Sequence, residues 1–393
     1  MRDWLRRTAA AAAVVLVVGG IDTADHRVPQ RPDLAAVAEP LPPPDDPCET
    51  DAARRYVAGG DAVVLGAKND DPDELDASDR YSEQLLAKLQ EAPGPWCLYN
   101  TSKNPTDTDQ YVSDGAPTQQ AKAHDLRPRL ITLTLGRQNA TIVDHVVKCF
   151  KNVKDHDFLE ANACALAVLT NTGAWDKLTK DLSEILNRYM VQMDGSPQLV
   201  VAVTGYFNPY PSATSVATDI PGFCAKLQDT IPTCTIRWVL LPPALVTLDQ
   251  VVKKLNDTIK AVVDKFTWTS QGRFFFVNPY EKFKDHCMKL DVEIKTKVYH
   301  PPPVNTVHDH NTDNDFGCDE PWIESDTHDG TKSPFPYLTP AVTGVLILAT
   351  QTTKGMGIYP NAKGHKCVAD LVWQATKEKL GVPEAPEDGC TNV

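Results

Sequence analysis

Three observations predict an α/β fold in which helices cover both faces of a parallel sheet. Short apolar runs of strand length recur along the chain, and several of them stop at a glycine. Longer segments with apolar residues at helical spacing separate these runs. The resulting order of strand, helix, strand, helix is typical of a parallel sheet between two helical layers. The sequence therefore predicts a three-layer α/β/α sandwich.

Four apolar runs have the length and composition of buried strands: residues 56–66, 129–135, 198–204 and 273–278. The first run is broken by Gly59-Gly60-Asp61, which has the composition of a tight exit turn. The second and third runs stop at Gly136 and Gly205. Because ligand sites in parallel sheets lie at the carboxyl ends of the strands, we expect a site where these exits meet.

Helices are predicted from apolar residues that recur at helical spacing. They cover residues 78–89, residues 175–189 and, near the end of the chain, residues 368–380. A further helix is predicted to start at Thr247, where Gln250 completes a capping box. This helix precedes the strand predicted over residues 273–278, so strands and helices alternate through the domain.

The predicted domain organisation begins with an export signal over residues 1–24, followed by a proline-rich linker over residues 25–47. One domain is predicted over residues 48–393, with an insertion at about 288–316. Arginines at the N-terminus precede an apolar run that is short for a bilayer span and has the size of a signal-peptide core. We therefore expect a secreted, extracellular protein without a stable transmembrane span. An uncleaved anchor is the alternative.

The composition is that of a soluble globular protein, with 42% hydrophobic and 23% charged residues. The formal net charge is −13, and the sequence has no Lys/Arg-rich segment that is interleaved with aromatic residues. Both observations argue against nucleic acid as a partner. No cofactor is predicted, and the sequence does not indicate an oligomeric state.

Ten cysteines in an exported chain predict disulfides. Zinc is the competing interpretation, but no two cysteines have the C-x-x-C spacing of a structural zinc site. Proximity along the sequence suggests the following pairs: Cys149 with Cys164, Cys224 with Cys234, Cys367 with Cys390, Cys48 with Cys97, and Cys287 with Cys318.

Five blocks of the sequence occur in the order found in one known family. Residues 56–62 are similar to the motif Y-V-A-L-G-D-S, and residues 133–149 to L-T-x-G-G-N-D-A-x-F-x-x-V-V-x-x-C. The later blocks are residues 203–211, similar to G-Y-P-x-x-x-P; residues 275–286, similar to F-V-D and then F-x-G-H; and residues 358–365, similar to H-P-N-x-x-G-H. Together they resemble the secreted SGNH (GDSL-type) esterase and lipase family over about residues 50–380. The resemblance implies a flavodoxin-like parallel sheet and favours the disulfide between Cys149 and Cys164.

The same resemblance implies that the catalytic set of the family is lost. The family uses a serine nucleophile, an oxyanion hole that includes a glycine and an asparagine, and a histidine base oriented by an aspartate. The matching positions hold Ala62, Tyr99, Gln138, Tyr359 and Met356, in that order. Asn139 replaces the aspartate beside the asparagine position, while Asp61 is kept. We therefore predict a vestigial site in which no catalytic residue is intact, with Asp61 as the residue of the first motif that still matches.

Other residues offer competing chemistry. A relocated catalytic set could draw on Asp61, His286 and His365. His308, His310 and Asp313 are candidate metal ligands, and the favoured alternative for their segment is a polar loop. Asn100, Asn139 and Asn256 each begin an Asn-x-Ser/Thr sequon.

The sequence thus predicts a secreted, non-catalytic pseudo-esterase that binds a small-molecule, lipid or glycan ligand, or a partner, through its degenerate cleft. The alternative is an active extracellular carboxylic-ester hydrolase with a relocated nucleophile. In a third hypothesis the cleft has no role and residues 291–315 mediate an interaction with another component.

Overall fold

The structure is a computed structural model of the chain. It describes residues 48, 54–66, 75–92, 94–103, 107–113, 118–136, 158–196, 198–210, 212–226, 241–284, 286, 289–299, 307–317, 331–337, 346–354, 360–382 and 390. The predicted export signal and the proline-rich linker lie outside these residues. Among the described residues, no helix combines the length and apolar character that crossing a membrane requires.

Strands and helices alternate through the first part of the chain. In order they are β1 (Arg54–Gly60), α1 (Ala62–Leu65), α2 (Tyr81–Gln90), β2 (Trp96–Asn100), α3 (Thr108–Ser113), α4 (Gln119–Asp125), β3 (Leu130–Thr134), α5 (Phe158–Thr170), α6 (Thr172–Gly195), β4 (Val200–Thr204), α7 (Ala213–Lys226), α8 (Leu241–Thr269) and β5 (Phe274–Val277). Four more strands follow: β6 (Lys289–Tyr299), β7 (Val307–Gly317), β8 (Thr331–Tyr337) and β9 (Leu346–Lys354). The last helix is α9 (Ala362–Leu380).

The first five strands form one parallel sheet in the order β2-β1-β3-β4-β5. Every residue of β3 and β4 is buried, because helices cover these strands on both faces. One helical layer contains α2 packed against α9, and the other contains α5, α6 and α8 packed together. The predicted three-layer α/β/α fold with a flavodoxin-like parallel sheet is confirmed.

The predicted start of α8 is wrong. The helix begins at Leu241 and not at Thr247, so Thr247 lies inside it and is not a cap. Pro242 and Pro243 fit the first turn, where a missing N–H removes no helical hydrogen bond. The Thr247 hydroxyl instead lies within hydrogen-bonding distance of two acceptors, the Pro243 carbonyl at 3.0 Å and Asn162 Oδ1 at 2.5 Å.

The second sheet is antiparallel, with the strand order β7-β6-β9-β8. The predicted insertion at about 288–316 covers β6 and β7, and β8 and β9 extend the sheet beyond it. The polar loop expected around His308 and His310 is wrong, because residues 307–317 pair with β6 along their whole length. A strand at the edge of a sheet can be polar since water reaches it, and this explains the misleading composition.

Disulfides join Cys48 to Cys97 and Cys367 to Cys390, and both pairs were predicted. The first disulfide links residue 48 to β2, and the second links α9 to residue 390. Cys164 is also disulfide-bonded. Its predicted partner Cys149 lies outside the described residues, as do Cys234, Cys287 and Cys318, so the pairs that contain them stay predictions.

Candidate functional site

The exits of neighbouring strands meet at the carboxyl edge of the parallel sheet, as predicted. After β1, the Asp61 N–H donates to the Thr134 carbonyl at the end of β3 at 3.0 Å. After β4, the Gly205 N–H donates to the Val277 carbonyl at the end of β5 at 2.8 Å. The chain segments that follow β1, β3 and β4 therefore lie side by side, and this edge is the candidate site.

Asp61 is fully buried, and both oxygens of its carboxylate accept hydrogen bonds. Oδ1 accepts from the Val63 N–H at 3.0 Å, which caps the short helix α1. Oδ2 accepts from the Tyr206 hydroxyl at 2.8 Å, across the exit of β4. Asp61 therefore holds the exits of β1 and β4 together.

Gly60 at the end of β1 lies against the backbone of β3, with no room for a side chain. Its φ is +131°, and a Cβ built on it would lie 2.2 Å from the Thr134 carbonyl oxygen. Its N–H donates to Gln119 Oε1 at 3.1 Å, and Gln119 is buried at the start of α4. Only glycine fits this turn, and its backbone amide is already occupied by a protein side chain.

Asn256 fixes the exit of β4 from the facing helix α8. Its side-chain amide accepts from the Tyr206 N–H and donates to the Tyr206 carbonyl, both at 2.7 Å. Gly205 leaves the space for this contact, since a Cβ there would lie 2.5 Å from Asn256 Oδ1. Asn256 is 3% exposed, so this sequon cannot receive a glycan in the folded protein. Asn100 is half-buried, and Asn139 lies outside the described residues.

We expect the Asn256→Ala variant to lose about 2–4 kcal/mol of unfolding free energy, because it removes both side-chain hydrogen bonds to the buried backbone of Tyr206. The measurement is chemical denaturation followed by circular dichroism. Asn187→Ala, at an exposed position of α6, is the matched control and should change the unfolding free energy by less than about 0.5 kcal/mol. Equal stability of the two variants would contradict the structural role of Asn256.

Buried hydroxyl groups connect the strands below the exits. The Tyr81 hydroxyl bonds Thr134 Oγ1 at 3.2 Å, and Thr134 Oγ1 bonds Thr204 Oγ1 at 2.6 Å. The Tyr56 hydroxyl bonds Thr132 Oγ1 at 2.9 Å. Burial raises the pKa of Tyr81 to about 12 and the pKa of Tyr56 well above its ordinary value. Both phenols stay neutral at physiological pH and act as hydrogen-bonding groups, not as bases.

Two of the replaced positions lie among the described residues. Ala62 is the first residue of α1, directly after the β1 exit turn. Tyr99 is half-buried within β2, where it pairs with Val57. The other vestigial positions, Gln138, Asn139, Met356 and Tyr359, lie outside the described residues. The predicted loss of the catalytic set at those positions stays a prediction.

His365 has a structural position in the first turn of α9. It is fully buried, and its Nδ1 accepts the Tyr81 N–H at 3.2 Å. Burial, with a smaller contribution from the Arg80 charge, lowers the pKa of His365 to about 3. Since its Nδ1 lone pair is used by a backbone amide, His365 is placed to hold α2 against α9 and not to activate a hydroxyl. His286 is half-buried after a 3₁₀ turn that begins at Tyr280.

No metal centre is evident in the part of the chain that the structure describes, since no three His, Cys, Asp or Glu residues there group together as metal ligands. His308 and His310 are two positions apart in β7, and Asp313 is at an odd spacing from both. Successive residues of a strand belong to opposite faces, so these three candidates do not share one face.

Sequence reasoning found Asp61 but missed the residues that bind it and its neighbours: Tyr206, Asn256 and Gln119. Tyr206 lies in the turn that the sequence predicts after β4, so its place at this edge of the sheet could have been predicted. No local pattern predicted the contacts of Gln119 with Gly60 or of Asn256 with Tyr206, because these residues are 59 and 50 positions apart in the sequence.

Comparison with known proteins gives structural likeness without close sequence similarity. No family model and no curated protein sequence matches the chain. The chain is similar to the extracellular lipase of Streptomyces rimosus, with 15% identity, a TM-score of 0.44, and coverage of 82% of this chain and 100% of the lipase. It is similar to phospholipase A1 of Streptomyces albidoflavus NA297, with 18% identity, a TM-score of 0.37, and coverage of 60% and 84%. It is also similar to a carbohydrate acetylesterase family member of Sinorhizobium meliloti, with 10% identity, a TM-score of 0.37, and coverage of 84% and 100%.

Proposed function

We propose that the chain is a secreted SGNH-fold pseudo-esterase, which binds a small-molecule, lipid or glycan ligand, or a partner, at the carboxyl edge of its sheet without hydrolysing esters there. The observation that carries this proposal is Ala62 at the first position after the β1 exit turn, where the family motif has its nucleophilic serine. A methyl group cannot attack an ester carbonyl.

The contacts of the neighbouring residues support the same proposal. The Asp61 carboxylate is occupied by the Val63 amide and the Tyr206 hydroxyl. The Gly60 N–H is occupied by Gln119, which leaves that amide engaged within the protein.

Export is supported by the disulfides of the domain. The domain contains the disulfides Cys48–Cys97 and Cys367–Cys390. Disulfides persist in oxidising compartments and are rare in cytosolic proteins. The apolar run after Arg2, Arg6 and Arg7 supplies the signal in this proposal.

The test is hydrolysis of p-nitrophenyl acetate and p-nitrophenyl butyrate by the purified natural protein. We expect no turnover above the uncatalysed rate, because nucleophile and base are both replaced and such groups act as a unit. The Ala62→Ser/Tyr359→His variant is measured beside it, and a gain there would show that the frame still fits the chemistry. The Ala163→Ser variant, with a new serine at an exposed position of α5, is the matched control and should stay inactive.

Turnover by the natural protein would overturn the proposal and favour the competing ester hydrolase. In that event, labelling with a fluorophosphonate and mapping of the modified residue would identify the relocated nucleophile. Absence of both turnover and labelling supports the pseudo-esterase. Thermal shifts with short-chain fatty acids and with soluble oligosaccharides then separate a lipid ligand from a glycan ligand.

A further inference from the structure

The two edges of the antiparallel sheet differ in how they resist further strand pairing. β8 contains Pro334 and Pro336, and proline cannot donate a backbone hydrogen bond, which closes an edge. β7 has 11 residues and contains neither proline nor lysine. Within the described strands, β7 pairs with β6 alone, and helix α7 also contacts it. β7 thus lacks the prolines found at the opposite edge.

The charges beside β7 indicate what kind of strand fits its outer edge. Asp313 is directly opposite Glu293, and Asp315 is directly opposite Asp291. Like charges at opposed positions destabilise a sheet. On the other side of β6, Lys354 is opposite Asp291 and offsets one of these charges. Among the described strands, none places a cation opposite Asp313 or Asp315.

We propose that the outer edge of β7 binds an extended basic segment of a partner protein by strand addition. Lysine or arginine of that segment lies opposite Asp313 and Asp315. Backbone hydrogen bonds supply the affinity of such an addition, and the alternating side chains supply its selectivity. Cations at these positions of the partner then offset the like charges that the register places opposite each other in β6 and β7.

A second copy of this chain is a less favourable occupant. Antiparallel pairing of two β7 strands centred on Thr312 would place Asp309 opposite Asp315 and add further like-charge pairs. The net charge of −13 also opposes self-association through an acidic strand. This binding involves the antiparallel sheet alone, so it does not depend on whether the candidate site beside Ala62 hydrolyses esters.

The experiment titrates the natural, disulfide-bonded protein with a nine-residue peptide in which valine or threonine alternates with lysine. We expect saturable binding with one peptide per chain by calorimetry. The Asp313→Lys/Asp315→Lys variant should bind about tenfold more weakly or worse, because two attractive cross-strand pairs become repulsive. The control Asp176→Lys/Asp194→Lys makes the same charge change at exposed positions of α6 and should keep the affinity within about twofold.

Two N-methylated peptides separate strand addition from simple charge attraction. One peptide carries N-methyl groups at its odd positions and the other at its even positions. Only alternate backbone N–H groups of an added strand face β7, so one of the two peptides has lost all the N–H groups that would donate to β7. Strand addition predicts that at least one of the two loses binding. If both bind as the parent peptide does, or if the natural protein does not bind the parent peptide, the proposal is wrong. Circular dichroism of the β7 variant confirms that it is folded before binding is compared.

Discussion

The Gly60→Ala variant is expected to lose about 4 kcal/mol of unfolding free energy or more, and to accumulate poorly as soluble protein. Gly60 has a φ of +131°, a region that residues with a side chain rarely adopt. The new Cβ would lie 2.2 Å from the Thr134 carbonyl oxygen, which also accepts the Asp61 N–H at 3.0 Å. Relief of this overlap requires β1 to separate from β3 in the middle of the sheet.

The measurement is thermal and chemical unfolding followed by circular dichroism, together with the yield of soluble protein. Gly222→Ala is the matched control, because Gly222 lies within α7 and has open space where its Cβ would be. Alanine favours a helix by up to about 1 kcal/mol over glycine, so this control should be neutral or stabilising. A Gly60→Ala protein within about 1 kcal/mol of the natural one would show that the exit turn is less constrained than its geometry implies.

The sequence predicted the centre of the sheet better than its edge. β3 and β4 are buried on both faces, so their residues form continuous apolar runs that indicate strands directly. β2 was not predicted, because it is an edge strand of five residues that is only partly buried. The alanine-rich helix α5 was also missed. Strands that are buried on both faces have continuous apolar runs that can be recognised in the sequence, whereas partly buried elements have a weaker apolar pattern.

Polar residues caused the two wrong assignments. Thr247 and Gln250 match a capping box, yet the Thr247 hydroxyl bonds the carbonyl of Pro243 inside the helix. The polar residues of β7 match a loop, yet they pair with β6 throughout. A short polar motif fits several local structures, and the choice between them depends on residues distant in the sequence.

The same distance limits prediction of the candidate site. The motif around Gly60 and Asp61 marks the exit of β1, and the structure places that exit at the carboxyl edge of the sheet. The hydrogen bond from Tyr206 to Asp61 joins residues 145 positions apart. No local pattern contains such a pair. The sequence could therefore predict the edge of the sheet where the candidate site lies, but it could not predict which residues bind Asp61.

Acid is expected to destabilise the protein through His365. Burial lowers the pKa of His365 to about 3 in the folded protein, against about 6.5 for an unfolded chain. Between these values the unfolded state binds a proton that the folded state does not, so the unfolding free energy rises with pH. Its contribution is fully present above pH about 6.5 and falls by about 1.4 kcal/mol per pH unit as the pH drops toward about 3.

The contacts of His365 explain why the folded protein resists protonation. Nδ1 accepts the Tyr81 N–H at 3.2 Å, and a proton on Nδ1 would face that donor. The ring is stacked on Tyr81, with centroids 6.2 Å apart, and is fully buried. The Arg80 charge further disfavours an imidazolium. Acid therefore acts at the packing of α2 against α9.

The measurement is the unfolding free energy of the natural protein and of His365→Asn between pH 3 and pH 7. Asparagine keeps an acceptor near the Nδ1 position but does not titrate in this range, so the difference between the two proteins should rise with pH by about 1.4 kcal/mol per unit. Asn187→Ala, at an exposed position of α6, is the control and should differ from the natural protein by less than about 0.5 kcal/mol throughout this range. A difference that stays constant with pH would show that His365 titrates alike in the folded and unfolded states. It would then stabilise the contact between α2 and α9 by packing alone.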